Sequence, residues 1–222
     1  MLGRRQKQAR AFKAYERRHL IESVEERLLG LRQMRDLTMT LVAYDSMARR
    51  SELVAVRVED ITASGDTGVL LIRKSKTDQE GQGSKRFLGP DTIAVLQEWL
   101  RRAGIAEGFV FRAVRRGGKK NPHGHVSADP EKHVTPLEWA RAVRRMAELA
   151  GVRDPETYSG HSTRVGAAQD QREQGIEVGK IMASGGWKSM TMVARYTEDS
   201  AVAEGGMADL ARRQGRRSIR LR

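Results

Sequence analysis

A chain of 222 residues has material for one good core, or one core and a small appendage, but not for two large domains. Its 41 lysines and arginines outnumber 28 acidic residues and give a formal charge of +13, which suits a polyanion, nucleic acid foremost, with a well-solvated surface as the plainer alternative. Cysteine is absent, which removes disulfides, thiolate nucleophiles and cysteine-type zinc sites; no apolar run reaches the roughly 18 residues of a membrane span, and the basic start lacks the apolar stretch of a signal peptide, so the chain is expected to be soluble, cytoplasmic and free of membrane partners.

Residues 1–19 carry Arg4, Arg5, Lys7, Arg10, Lys13, Arg17 and Arg18 with few apolar anchors, and read as a linker or marginal helix rather than core. Apolar side chains at Leu31, Met34, Leu37, Leu41, Tyr44 and Met47 recur at helical spacing, and a short helix follows from Ser51; the two should pack as a pair. Gly68-Val-Leu-Leu-Ile-Arg73 and Lys85-Arg-Phe-Leu88 are β-rich runs that predict a small hairpin. Asp91 opens an amphipathic helix through Ile93, Leu96, Trp99 and Leu100, with Gly104 as its left-handed cap.

Residues 113–133 hold Arg115-Arg-Gly-Gly-Lys-Lys120, three histidines and two prolines without periodicity, and read as a loop. His123, His125 and the more distant His133 form a weak ligand set, and solvated loop histidines are the preferred reading. Thr135-Pro-Leu-Glu138 is a capping box with proline at the first helical position, opening a helix to about residue 150. Further helices are expected over 162–174, ended by Gly175, over a short stretch to residue 184 before the Gly185-Gly186 turn, around Tyr196, and over 201–213, where a basic run to residue 222 begins. The pattern is mainly α with a small β-hairpin or sheet.

Transfer of a phosphodiester to a protein hydroxyl needs a nucleophile, donors around the non-bridging oxygens where charge grows, and an acid for the departing oxygen. His161-Ser-Thr-Arg164 places an imidazole and a guanidinium on one helix face beside its N-terminus, whose free N–H groups favour an anion. Alone, that spacing is more often a helix-end hydrogen bond. Arg49 and Glu52 show the same spacing at a helix junction, where a carboxylate can orient a guanidinium towards a cleft or simply form a surface ion pair; Arg50 competes with Arg49 for the role.

Taken in order, these residues resemble the tyrosine recombinase (phage integrase) family over nearly the whole chain, from Lys7-Gln-Ala-Arg-Ala-Phe12, similar to an interdomain linker, to the last helix. Leu41-Val-Ala-Tyr-Asp-Ser-Met-Ala-Arg49-Arg-Ser-Glu52 resembles the segment bearing the first catalytic arginine and its glutamate, which selects Arg49 over Arg50. In Lys74-Ser-Lys76-Thr77, Lys76 is similar to the family's general acid; by itself it reads as a solvated turn lysine. Ser159-Gly-His161-Ser-Thr-Arg164 resembles the histidine and second arginine, and Gly185-Gly-Trp187 the phosphate-contacting tryptophan, which otherwise reads as a core anchor. Tyr196 then stands at the nucleophile's spacing, unlike Tyr15 in the basic arm, Tyr44 on an apolar helix face and Tyr158 just before the histidine motif.

The resemblance implies the tyrosine recombinase catalytic-domain fold, and DNA strand cleavage and rejoining through a 3′-phosphotyrosyl intermediate without metal or other cofactor. Tyr196 would attack, Arg49, His161, Arg164 and Trp187 would stabilise the phosphorane, Lys76 would protonate the leaving oxygen and Glu52 would orient its neighbours. It implies a linker-like arm over 1–19 and a catalytic domain over 20–222 with a C-terminal helix and basic tail, with the family's N-terminal core-binding domain absent ahead of the arm. Double-stranded DNA is the expected partner, with Lys74, Lys85, Arg86, Arg115, Arg116, Lys119 and Lys120 as further contacts, or else as a solvated face. The C-terminal helix is expected to join a DNA-induced homotetramer. A type IB topoisomerase-like enzyme would share the chemistry but reseal the same strand, and a non-catalytic DNA-binding module would form no covalent adduct.

Overall fold

The computed structural model describes residues 9–25, 27–73, 83–115, 124–203 and 206–215. Its centre is α2 (Leu31–Ser46), buried on nearly every side: Leu37, Met39, Leu41, Val42 and Ala43 are apolar, while Thr38, Thr40 and Ser46 are equally enclosed. Those hydroxyls bond back to the carbonyls one turn earlier, at 2.8, 2.8 and 2.6 Å, so burial leaves them satisfied. Around α2 pack α4 (Pro90–Ala103), α5 (Pro136–Leu149) and α6 (Ser162–Glu173). Proline opens α4 and α5, where its missing N–H costs nothing; Thr135 accepts the Glu138 N–H at 3.2 Å, and Gly104 adopts the left-handed cap of α4.

Charge also joins α2 to α5. Arg35 and Asp36 of α2 meet Glu138 and Arg145 of α5, each cation–carboxylate pair closing to 2.7–2.8 Å. Arg35 and Asp36 are almost wholly enclosed. Each buried charge faces an opposite one, the condition under which such groups are tolerated inside a protein.

The start of the chain departs from expectation. Helix α1 (Ala14–Glu25) runs straight through residue 19, and Phe12 and Leu20 are fully buried in the main core. Two of the cations that suggest a solvated arm are paired across the sequence: Arg17 with Asp91 at 2.7 Å and Lys13 with Glu173 at 2.5 Å. Just before α1 the backbone crosses α6, where the Phe12 N–H donates to the Ser162 carbonyl at 2.9 Å. The crossing is so close that a side chain at Gly166 would collide with the Phe12 carbonyl.

After α3 (Arg50–Val54) come β1 (Ile61–Ser64), β2 (Thr67–Ile72) and β3 (Ser84–Leu88), an antiparallel sheet in that order. The expected hairpin is β2–β3, with Leu70 opposite Arg86; β1 is an added edge strand whose Thr62, Ala63 and Ser64 are exposed. Within 113–133, read above as loop, β4 (Val114–Arg115) pairs with β5 (His125–Val126). Beyond α6 follow α7 (Val178–Gly185), α8 (Met190–Ala203) and α9 (Gly206–Arg213). They bring a second, smaller core onto the side of the first: Met47, Ala167, Ala168, Ile181, Trp187 and Val193, with Tyr44 and Tyr196 against it.

Candidate active site

Arg49 is the N-cap of α3 and Glu52 its third residue, so helix geometry folds the carboxylate back over the arginine. Glu52 accepts from the Arg49 backbone N–H and from its Nη1, both at 2.7 Å, and is 7% exposed. The sequence could not separate an oriented guanidinium from a surface ion pair; the enclosed carboxylate makes it the former.

Arg164, on the first turn of α6, is 2% exposed. Nη2 donates to the Gly185 carbonyl at 2.6 Å and Nη1 to the Met47 carbonyl. Met47 is the left-handed cap that ends α2, and this turn directs its carbonyl at Arg164. Arg164 therefore ties together the junction before Arg49 and the turn before Trp187. Burial, reinforced by the charge of Arg49, pushes the Arg164 guanidinium down to about 10.

His161 caps the same helix and is half-buried, its Nδ1 enclosed without a hydrogen-bond partner. Burial and the charges of Arg50, Arg164 and Arg49 hold the imidazole below its ordinary range. It is therefore neutral at neutral pH, with one donor and one acceptor nitrogen.

Trp187 is 6% exposed and follows a turn that needs glycine: Gly186 sits at φ +60°, in the left-handed region, so that the Gly186 and Trp187 N–H groups close onto the Ala183 and Met182 carbonyls at 3.2 and 2.9 Å. The Arg164 guanidinium lies 4.5 Å from the centre of the Trp187 ring and 5.9 Å from that of Tyr196. The two rings are 5.0 Å apart and tilted by 30°. Gln169 holds the Tyr196 carbonyl at 3.3 Å and so ties α8 to α6.

The other tyrosines are placed differently. Tyr44 donates to Asp170 at 2.6 Å, Tyr158 is buried with its hydroxyl on Glu16 at 3.2 Å, and Tyr15 lies exposed against His19. Arg49, Glu52, His161, Arg164, Trp187 and Tyr196, far apart in sequence, are gathered at one place, while Lys76 falls outside the described residues.

Among the expected DNA contacts, Lys85 and Arg115 are exposed, and Lys74, Arg116, Lys119 and Lys120 lie outside the described residues. Arg86 is turned inward at 7% exposure and donates to the Ala183 carbonyl at 2.8 Å, so it is not available as an open surface contact. His133, weighed above as a weak ligand, packs edge-on against Phe109 at 4.7 Å with Nδ1 2.7 Å from the Val134 carbonyl. No helix among the described residues is long and apolar enough to cross a membrane.

A helical body carrying a small sheet, with this cluster around the smaller core, is the catalytic-domain fold of tyrosine recombinases. It superposes on the XerH site-specific recombinase, captured in a post-cleavage complex with palindromic difH substrate, with a TM-score of 0.67 at 16% identity, over 93% of this chain and 54% of that one. The XerA recombinase gives 0.65 at 15% identity, over 96% and 68%. In sequence, residues 11–202 match the phage integrase family, and the chain belongs to it. Recombinase Cre of Escherichia phage P1 is 29% identical over 219 residues, 94% of this chain and 62% of Cre. An integrase/recombinase XerD homolog of Selenomonas ruminantium is 30% identical over 184 residues, covering 80% of this chain but 50% of the homolog. The chain thus spans between half and two thirds of the curated relatives it matches.

Proposed function

We propose that this chain cleaves and rejoins DNA strands through a 3′-phosphotyrosyl bond, with Tyr196 as nucleophile, as the catalytic part of a site-specific recombinase. The observation that carries the reading is the stack of Arg164, Trp187 and Tyr196, with Arg164 bound to carbonyls and Glu52 engaged by Arg49. A pocket with more guanidinium than carboxylate charge, beside a phenol, favours a phosphodiester.

In the reaction, the Tyr196 hydroxyl gives up its proton to solvent as its oxygen forms a bond to phosphorus and the 5′ oxygen leaves, and the 5′ hydroxyl of a strand reverses the step. One phosphoester replaces another, so no nucleotide energy is needed. Arg49 and Arg164 face the charge that grows on the non-bridging oxygens, and neutral His161 donates one hydrogen bond there. Trp187 supports both Arg164 and the phenol. Lys76, on the connection between β2 and β3, protonates the departing oxygen. Lys85 and Arg115 extend the contact along double-stranded DNA, and α9, with Met207 and Leu210 exposed, docks on a neighbouring subunit in a DNA-bound tetramer.

The test is a library of nicked duplexes with randomised inverted arms. The wild type should yield a denaturation-resistant adduct mapping to the Tyr196 peptide, whereas Tyr196→Phe should bind the same DNA and yield none. An adduct with Tyr196→Phe sinks the assignment. Relaxation of plasmids without exchange between sites would mean resealing of the same strand.

A further inference from the structure

Arg86 is a cation that the chemistry above leaves unused. Alternation along β3 turns it inward with Leu88, away from Lys85 and Phe87. Its guanidinium crosses from the sheet to the end of α7: Nη1 donates to the Ala183 carbonyl at 2.8 Å, and Nη2 rests so close to Gly186 that a Cβ there would overlap it. Arg164 grips the Gly185 carbonyl from α6. The negative end of the α7 dipole is therefore held by two guanidiniums, one from the sheet and one from a helix. Trp187 comes directly after that end.

Two further facts speak against a mere strut. Arg86 Nε is enclosed without a hydrogen-bond partner, a cost that an apolar side chain would avoid. Burial, opposed by Glu52 and reinforced by Arg49, lowers its basicity, which places the group within the same electrostatic field as the site. Arg86 in turn helps to lower that of Arg164.

We propose that Arg86 is a positioning residue for strand cleavage: it fixes the Gly185–Gly186 turn to the sheet, and so sets Trp187 and the carbonyl that orients Arg164. The proposal rests on the strand-cleaving reading of the site. It goes beyond it by assigning a role to a residue that touches neither phosphate nor nucleophile.

The experiment compares wild type, Arg86→Lys, Arg86→Gln, Trp187→Phe and the Arg86→Lys/Trp187→Phe double variant on a nicked duplex that the wild type cleaves. Dissociation constants and single-turnover rates of adduct formation are measured, with circular dichroism to verify folding. Both Arg86 variants should bind within about twofold of wild type yet form adduct at least about tenfold more slowly. In the Trp187→Phe background, Arg86→Lys should cost less than about twofold more, because both changes disturb one turn. Fully multiplicative losses would mean a direct action on the phosphate and would overturn the proposal, as would wild-type rates in both variants. Arg86→Lys keeps a cation in place should Arg86→Gln not fold. Acrylamide quenching reads the turn without catalysis: Trp99 and Trp139 are wholly buried, so increased quenching in Arg86→Lys reports Trp187. Unchanged quenching would refute the positioning role even if the wild type cleaved no DNA.

Discussion

Arg164 concentrates the logic of the site in one side chain. Its two carbonyl partners belong to segments well over a hundred residues apart in sequence, and its face carries both aromatic rings. Lysine has one compact charge and cannot make the same fork. Arg164→Lys should therefore lower single-turnover cleavage by about a hundredfold to a thousandfold, the usual cost of removing a preorganised donor, with the dissociation constant for DNA changed far less. A loss shared equally between binding and cleavage would contradict this division. His161 gives a pH test. Its folded pKa is depressed by burial and by Arg50, Arg164 and Arg49, so the folded chain binds fewer protons than the unfolded one. Its contribution to stability is present above the unfolded value near 6.5 and is lost as pH falls through the folded value. The melting temperature of the free protein should thus fall more steeply between pH 7.5 and pH 5.5 than that of His161→Gln; parallel slopes would exclude His161 as the source. At this scale the residues that gather here stood out in the sequence through their order, but Arg86 was misjudged as a surface contact. Its charge suggests a surface contact, whereas its place two residues before Leu88 on a strand turns it inward.

At the scale of elements, the junction of α2 with α5 rests on four charges as well as on apolar contact. Asp36 receives both Arg35 and Arg145, and is buried. Asp36→Asn leaves those cations short of one negative charge and should destabilise the fold by about 3 kcal/mol. Urea unfolding would show this as a lower midpoint at unchanged slope; an unchanged midpoint would mean that Glu138 alone suffices. Helices α2 and α4 are legible because their own side chains encode the buried face, and α5 because its capping box and proline mark where it starts. Strand β1 is not, since an edge strand with three exposed positions has no alternation to read. Helix α1 reads as an arm in sequence because Arg17 is answered by Asp45 and Asp91, carboxylates that only the tertiary fold brings near.

For the whole molecule, the excess of positive charge is divided between cations committed to the interior and cations left outside. Only the second kind can release counterions when a duplex binds. Lys85→Ala and Arg115→Ala should each reduce the slope of log binding constant against log salt by about 1, whereas Arg86→Lys should leave it unchanged. Titrations over a range of potassium chloride concentrations measure this directly, and equal slopes for all three would show that the exposed pair does not face the DNA.

The crossing of Phe12 over α6 gives the molecule a lever. The Phe12 N–H is fastened to the carbonyl of Ser162, the residue next to His161, and Gly166 leaves no clearance beneath the backbone there. Force applied through the N-terminal segment is therefore delivered to the first turn of the helix that carries both His161 and Arg164. Because Phe12 is itself buried in the main core, a tug or a twist there would load that core and the site together, making the entry of the chain a mechanical handle on both.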